Sequence, residues 1–449
     1  MSALKSLAQF AAQIEYDALP ASIAEKARAC LLYGLAVAVA SVRVPLSSLA
    51  LAMRPAGTGA TRLLDGAQVS AGAAAFANAM LFHARIQEDA HPAGHVGVVV
   101  LPAALAQAQS VRASGRDLLA AVAAGYEIAL RIGRDHAADL SERGFRTTSV
   151  YGPIGAATAC ARLQRADPQT TANTLALAAN TACGLREFVA AGTDEYAFQA
   201  GIAAQNAITS AALGGAGAAA AVSVLDGTAG FFRAYGADGH AYGARLAEGL
   251  GAEWEFAQVT FKPYPVCQFH RSLVAGVLAL RGQAAGGALA RMSVDMHPFE
   301  ADFFGVRHAG PFSTFAQAFM SAPWCAALAW SRGRVDYAGM HDFNAAGTLA
   351  LTSKIQIRAA PAQPRYQPSI RVTLDNHREL TWCDDSGPSA YDLDWNAALR
   401  MAAELYAEAG VSANLRERLV AAVADLAGAK NANEVVAAAA AACTAARNH

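Results

Sequence analysis

Helical periodicity over more than half of the chain is the feature that most constrains its fold. From the N-terminus to about Phe256, alanine, leucine and valine recur at spacings of three and four. The clearest such stretches are residues 23–42, 118–132, 169–183 and 200–213. Pro20 and Pro102 stand near the starts of helical stretches, where a missing N–H is tolerated. The pattern predicts a large domain made of helices.

The pattern changes after about Val259. Residues 354–358 and 369–374 alternate apolar and polar side chains, which indicates strands, and three prolines separate them. From Leu393 the pattern is helical again, with Asp394 as a candidate N-cap. We therefore predict a mainly α-helical protein in which residues 1–259 and 393–449 form one all-helical domain. Residues 260–392 form a smaller domain of helices and strands inserted into it.

Composition excludes several classes of partner. The chain is 54% hydrophobic and 16% charged, and its 35 basic residues balance 36 acidic ones. Such a charge balance offers no basic surface to nucleic acid or to anionic lipid. The seven cysteines form no CxxC pair, and the N-terminal residues lack the apolar run of a signal peptide. We expect a cytoplasmic protein that binds neither nucleic acid nor membranes.

Residues 83–95 combine histidine with acidic side chains in one loop. Three of the eleven histidines and two adjacent acids fall within this stretch. Histidine titrates near neutrality and a carboxylate orients its ring, which suits general acid–base chemistry by Asp89, His91 and His95. The alternative is a structural hydrogen-bond network. The proline and glycine between His91 and His95 break the helix that zinc ligation at this spacing needs, so we predict no metal.

Three further segments carry candidate site residues. Arg146, in the segment 144–153, has the geometry to hold a carboxylate through two hydrogen bonds, and Tyr151 adds a donor. Tyr196 is a candidate proton donor or oxyanion ligand. The alternatives are a capping loop with a solvated arginine and a core tyrosine.

The segment 261–270 places a lysine, a thiol and an imidazole together at the apparent domain junction. Lys262 is a candidate carboxylate anchor or charge stabiliser. Cys267 and His270 fit packing roles as well as chemical ones. Clefts form at such junctions, and we expect these residues and the histidine loop to line one cleft.

In their order and spacing, these segments resemble the MmgE/PrpD family of dehydratases, decarboxylases and epimerases. The resemblance runs nearly end to end. It includes the histidine loop followed by VLPAALA, the GYE stretch at 125–127, the GF-x-T-T segment, LDG-TAGFFRAYG at 225–236 and FKPYP-x-C-x-x-H.

The resemblance implies an all-helical main domain formed by both chain ends, an α+β lid, a homodimer, and no metal or organic cofactor. The family's loop histidine matches His95, its lysine matches Lys262, and its Cys and His match Cys267 and His270. Its acidic pair resembles Glu88 and Asp89.

The chain departs from decarboxylase-like members at two positions. It has Arg146 where they carry histidine and Tyr196 where they carry lysine. Arginine is a fixed cation that does not titrate, so this departure counts against decarboxylation without deciding between it, dehydration and epimerisation.

These features predict a lyase that removes a proton next to a carboxylate of a small di- or tricarboxylic acid and then expels a group such as water. Arg146 and Lys262 would stabilise the developing negative charge. His95 or His91 would move the proton, with Asp89 holding the imidazole.

Two other functions fit the same residues. One is an epimerase of an amino- or imino-dicarboxylate, which needs a second acid–base group such as Tyr196 or His270. The other is a non-catalytic, helical, dimeric binding protein.

Overall fold

The computed structural model describes residues 2–52, 57–236, 242–243, 245–343 and 345–449. The chain forms two compact units. The first, here called the helical unit, consists of Met1–Arg186, Glu195–Val259 and Leu393–His449. The second, the mixed unit, consists of Glu187–Asp194 and Thr260–Asp392. The boundaries at 259 and 392 lie where the sequence pattern changes, whereas the assignment of 187–194 to the mixed unit was not predicted.

Helices dominate the described residues, and the predicted mainly α-helical class is confirmed. In chain order the α-helices are α1 (Ala3–Gln13), α2 (Ala21–Ser41), α3 (Pro45–Ser48), α4 (Ala71–His83), α5 (Gly97–Val111), α6 (Gly115–Arg134), α7 (Ala137–Glu142), α8 (Thr147–Leu163), α9 (Pro168–Asn180), α10 (Glu187–Ala191), α11 (Glu195–Gly215), α12 (Phe231–Tyr235), α13 (Arg271–Ala284), α14 (Pro298–Ala301), α15 (Phe315–Met320), α16 (Ala322–Arg332), α17 (Tyr337–His341), α18 (Ala346–Thr352), α19 (Trp395–Glu408), α20 (Ala413–Ala424) and α21 (Asn433–Asn448). The strands are β1 (Ala60–Thr61), β2 (Gln68–Val69), β3 (Leu289–Met296), β4 (Ile355–Ala359), β5 (Ser369–Leu374) and β6 (Glu379–Cys383).

Helix α8 forms the centre of the helical unit. Every residue after Thr147 in this helix is buried, and α5, α6, α9 and α11 pack around it. Small residues permit the close approach to α6. A Cβ atom added at Gly155 would lie 2.4 Å from the main-chain oxygen of Gly125, and one added at Gly125 would lie 2.7 Å from that of Gly155. Glycine at these two positions therefore permits the close packing of α6 against α8.

The mixed unit contains a four-stranded sheet in the order β4-β3-β5-β6. Strand β3 pairs parallel with β4 and antiparallel with β5, and β5 pairs antiparallel with β6. Helix α13 packs on β5 and β6, where a Cβ atom at Gly276 would meet Trp382 at 2.4 Å. Strands β4 and β5 confirm the two strands predicted from alternation. Strands β3 and β6 were not predicted.

The two ends of the insertion lie side by side within each unit. In the helical unit the main-chain N–H of Leu393 donates to the oxygen of Val259 at 3.4 Å, and the Lys26 ammonium donates to the same oxygen at 3.0 Å. In the mixed unit Thr260 forms an antiparallel bridge with Asp392. The predicted cap is confirmed, because the Asp394 carboxylate accepts the N–H of Ala397 at the start of α19.

Among the described residues, no single helix has both the length and the apolar composition to cross a membrane, although the bent pair Ala21–Ser41 and Pro45–Ala52 meets both criteria when taken together.

Candidate active site

The loop between α4 and α5 is largely buried although six of its thirteen residues have polar side chains. His83 ends α4 and is fully buried, and Arg85, Gln87, Glu88 and Asp89 are each at most 5% exposed. Groups outside the loop supply hydrogen-bond partners at two points: the Tyr33 hydroxyl donates to the main-chain oxygen of Gln87, and Arg85 donates to that of Ala40 at 3.2 Å. Buried polar groups are stable only with such partners, so the packing of the unit fixes the conformation of this loop.

Glu88 lies between two imidazole rings. One carboxylate oxygen is 3.0 Å from Nδ1 of His83, and the other is 3.4 Å from Nδ1 of His95. Glu88 is 2% exposed and the side chain of His95 is 20% exposed, so the pair reaches from the protein interior toward solvent. Low local polarity strengthens the attraction between this carboxylate and a protonated ring.

Asp89 contacts His95 through its main chain. Its main-chain oxygen is 2.9 Å from Nδ1 of His95, while its carboxylate accepts a hydrogen bond from the Tyr126 hydroxyl. Burial, together with the negative charge of Asp89, raises the pKa of Tyr126 well above its usual value, so Tyr126 stays a donor. The expected role of the Asp89 carboxylate is therefore corrected: the structure places the Glu88 carboxylate beside the imidazole.

The contacts of His95 determine which ring nitrogen carries its proton. A main-chain oxygen accepts hydrogen bonds and cannot donate, so Nδ1 of His95 must carry the hydrogen that points to Asp89. In the neutral ring, Nε2 then holds the basic lone pair. The main-chain N–H of His95 donates to Thr148 Oγ1 at 3.1 Å, which attaches the residue to the first turn of α8.

Arg146 and Tyr196 belong to the same cluster. Arg146, the N-cap residue of α8, donates to the main-chain oxygen of Tyr196, to Gln199 at 3.3 Å and to Nε2 of His83. Burial lowers the pKa of Arg146 to about 10 while the charge of Glu88 opposes this, so the guanidinium remains cationic at neutral pH. The Tyr196 hydroxyl donates to the main-chain oxygen of Ala84 at 3.1 Å.

His91 forms a turn inside the loop. Its Nδ1 accepts the N–H of Ala93 at 3.1 Å, and its main chain pairs with Gly94. Its Nε2 lies 3.7 Å from Glu255. Burial lowers the pKa of His91 to about 3, which keeps the ring neutral at physiological pH. These contacts favour His95 over His91 as the residue that moves a proton.

Tyr151 directs its hydroxyl to another histidine. The hydroxyl oxygen is 2.9 Å from Nδ1 of His136, and the rings of both residues pack with Phe231. The fully buried Tyr151 thus belongs to an aromatic cluster, and the substrate contact expected of it stays a prediction.

Lys262, Cys267 and His270 lie in the mixed unit. Lys262 is fully buried, and Cys267 is partly exposed with its main-chain N–H donating to Phe319 at 3.1 Å. Nε2 of His270 is 2.8 Å from the main-chain oxygen of Met320, and burial lowers the pKa of His270 to about 4. A single cleft shared by these residues and the histidine loop stays a prediction.

Sequence reasoning missed parts of this cluster. His83 was counted in the loop but given no role, and Tyr126 appeared only as part of the GYE stretch. The sequence did contain a sign of the role of Tyr126: its hydroxyl stands in an otherwise apolar stretch of α6, just before Glu127, which indicates a buried polar contact. In the part of the chain that the structure describes, no three His, Cys, Asp or Glu residues are grouped so that they could hold a metal ion.

Fold and site together describe a mainly α-helical protein with a buried cluster of histidine, carboxylate and arginine. A family model, that of the MmgE/PrpD N-terminal domain, matches residues 5–241. This match covers more than half of the chain, which therefore belongs to the MmgE/PrpD family.

Two curated relatives are fungal. The chain is 28% identical over 295 residues to a cis-aconitate decarboxylase of Aspergillus terreus, a match that covers 62% of this chain and 60% of that protein. It is 27% identical over 276 residues to the cis-aconitate decarboxylase-like protein oryM of Aspergillus oryzae, with 57% of each covered. The chain thus matches about three fifths of the length of these relatives.

Proposed function

We propose that the chain is a lyase that removes a proton next to a carboxylate of a small di- or tricarboxylic acid, with Nε2 of His95 as the base. The observation that carries this proposal is the setting of His95 Nδ1, 2.9 Å from the main-chain oxygen of Asp89 and 3.4 Å from the Glu88 carboxylate. The first contact fixes the tautomer, and the second favours the imidazolium that forms when Nε2 takes a proton.

In the proposed dehydration, every bond that breaks is matched by one that forms. The C–H bond breaks, its proton moves to Nε2 of His95, and its electron pair forms a carbon–carbon double bond as a β-hydroxyl leaves. The imidazolium returns the proton to the leaving oxygen, which departs as water. Negative charge develops on the substrate carboxylate during the first step, and the cation of Arg146 contributes a favourable field. Lys262 is proposed as the carboxylate anchor by its resemblance to the family's lysine.

The structure favours a lyase over an epimerase. An epimerase needs a second acid–base group that can give a proton to the substrate, and the two candidates already donate to main-chain oxygens: the Tyr196 hydroxyl to Ala84 and Nε2 of His270 to Met320. The low pKa of His270, about 4, also keeps its ring neutral near pH 7, so it holds no imidazolium proton to give to the substrate. The relatives' names support chemistry at a carboxylate, whereas Arg146 in place of histidine favours dehydration over decarboxylation.

The test is exchange of the substrate's α proton, followed by proton NMR in deuterated water over a panel of di- and tricarboxylic acids. The wild-type protein should exchange this proton in at least one acid. His95→Gln should lower the rate by about a hundredfold or more, the usual scale for a general base, while its melting temperature stays near wild type. Wild-type exchange by a folded His95→Gln protein would remove His95 from the mechanism.

Lys262→Met gives a separate prediction. Loss of a carboxylate anchor weakens substrate binding as well as transition-state stabilisation, so KM should rise and kcat should fall. Steady-state kinetics with the acid identified by NMR measure both. A normal KM in a folded variant would show that Lys262 does not hold the substrate.

A further inference from the structure

A second histidine lies on the side of Glu88 opposite His95. His83 is fully buried at the end of α4, with Nδ1 3.0 Å from one Glu88 oxygen. Its Nε2 is in hydrogen-bond contact with the Arg146 guanidinium, and its ring meets that of Tyr196 edge-on at 5.3 Å. Arg146, His83, Glu88 and His95 therefore form one continuous row of polar contacts.

The hydrogen-bonding groups on either side of His83 determine which of its ring nitrogens carries a proton. A guanidinium has only donors, so Nε2 of His83 must accept and carries no hydrogen. The ring's single proton then lies on Nδ1, which faces the Glu88 carboxylate at 3.0 Å. A doubly protonated ring would place an N–H against the N–H of Arg146 and a second cation beside the first. The contacts thus select one neutral tautomer.

We infer that His83 is a positioning residue, held by Arg146 as the neutral Nδ1–H tautomer, which fixes the Glu88 carboxylate opposite His95. The inference rests on the proposed function insofar as His95 is the base. It also assigns Arg146 a different task from the one its sequence suggested. Arg146 donates to His83, to Gln199 and to the main chain of Tyr196, and through the first of these contacts it sets the tautomer of His83.

The first test reads the tautomer directly and needs no substrate. In the wild-type protein labelled with ¹⁵N-histidine, the His83 signals are identified by their absence from His83→Gln. We expect Nε2 to show the shift of an unprotonated nitrogen and Nδ1 that of a protonated one, without change from pH 6 to pH 8. A proton on Nε2, or titration of His83 in this range, would overturn the inference. Because this result does not depend on turnover, it stands apart from any failure to find an activity.

The second test uses kinetics and a matched pair of variants. Glutamine supplies one acceptor and one donor group as the histidine tautomer does, whereas leucine supplies neither. His83→Leu should lower kcat about tenfold or more with KM within about threefold of wild type, and His83→Gln should restore much of the rate. A positioning residue predicts this split because it does not touch the substrate. Equal rates for the leucine and glutamine variants, with the melting temperature of each recorded, would contradict the role.

The third test asks whether Arg146 acts through His83. If it does, Arg146→Gln and His83→Leu should be strongly non-additive, so that the double variant is no slower than His83→Leu within about threefold. KM should change little in either single variant. A tenfold or larger rise of KM in Arg146→Gln, present also in the His83→Leu background, would instead show that Arg146 holds the substrate.

Discussion

Two histidines four residues apart in one loop experience opposite environments. His95 has a carboxylate at 3.4 Å and partial access to solvent, whereas His91 is buried and its Nδ1 is used to close a turn. Burial lowers the pKa of His91 to about 3. An imidazole with so low a pKa binds protons in the unfolded chain before it does so in the folded one. His91 therefore makes the protein sensitive to acid.

The pH dependence of stability tests this role of His91. Its folded pKa is below its unfolded value of 6.5, so its contribution is complete above pH 6.5 and is lost as pH falls toward 3. Between pH 7 and pH 4.5 the loss amounts to about 2–3 kcal/mol. His91→Asn, which keeps an acceptor for the N–H of Ala93, should lose that much less stability over this range in urea unfolding. A variant whose stability falls in parallel with wild type would show that His91 does not titrate on unfolding.

The sequence predicted which polar residues of the loop belong to the site, but not which contact each of them makes. Glu88 and Asp89 are adjacent acids, and no local pattern tells which carboxylate faces an imidazole and which faces Tyr126. That choice depends on the unusual backbone of the loop, where Ile86 has a positive φ of 54°. Long-range packing imposes this conformation, so the division of roles could not be predicted from composition or spacing.

At the scale of elements, the start of α5 is the most crowded point near the site. A Cβ atom at Gly97 would lie 2.1 Å from the Tyr126 hydroxyl and 2.3 Å from the Asp89 carboxylate. Asp89 also holds His95 through its main chain. Glycine at position 97 thus permits the loop, the helix and Tyr126 to meet.

Substitution of two helix glycines by alanine tests this crowding. Gly97→Ala should destabilise the protein by about 1–3 kcal/mol, the usual cost of overpacking. Gly72→Ala is the matched control in α4, because its Cβ would meet Gln205 at an ordinary 3.7 Å. That control should be neutral or stabilising by about 0.5–1 kcal/mol through helix propensity. Thermal unfolding measures both, and equal stabilities for the two variants would contradict the packing argument.

Apolar periodicity was enough to predict some elements and not others. The periodic stretch 118–132 lies within α6, and 169–183 overlaps α9. Helix α4 is buried on all sides from Ala73 to His83, so its sequence shows no polar face from which to read its orientation. Strand β6 buries only Leu380, and its alternation is too weak to predict a strand.

At the scale of the molecule, the mixed unit contains a buried acid that the sequence did not indicate. Glu300 in α14 is 0% exposed, and one of its oxygens accepts the N–H of Tyr366 at 2.8 Å. Within the described ranges its other oxygen has no hydrogen-bond partner. Burial raises the pKa of Glu300 to about 7, against the opposing effects of the Tyr366 N–H and of Arg365. The mixed unit therefore contains a carboxylate that ionises near neutrality.

Because Glu300 in the folded protein ionises only near neutrality, we expect stability to fall as pH rises from acid to neutral. Its folded pKa of about 7 exceeds its unfolded value of 4.5, so stability falls as pH rises from 4.5 to 7 and stays lower above that. The loss is about 3 kcal/mol over this range. Glu300→Gln keeps the acceptor for Tyr366 but cannot ionise, so the protection that it adds to strands β3 and β5 over wild type should be larger at pH 8 than at pH 5. Hydrogen exchange of these strands, compared with α8 as an internal control, measures the effect. Protection that changes with pH as in wild type would exclude Glu300 as the cause.

The chain leaves the helical unit at Val259 and re-enters it at Leu393, and a hydrogen bond joins these two residues. The helical unit is therefore already closed where the insertion begins, and a short linker would bridge the two positions at little entropic cost. One inserted domain could be exchanged for another at such a junction without rearranging the helices. The segment Glu187–Asp194 belongs to the mixed unit but lies outside the insertion, so replacing the insertion would remove the residues that it packs with in that unit. A graft of a relative's insertion at this point should therefore leave the helices and the histidine loop unchanged.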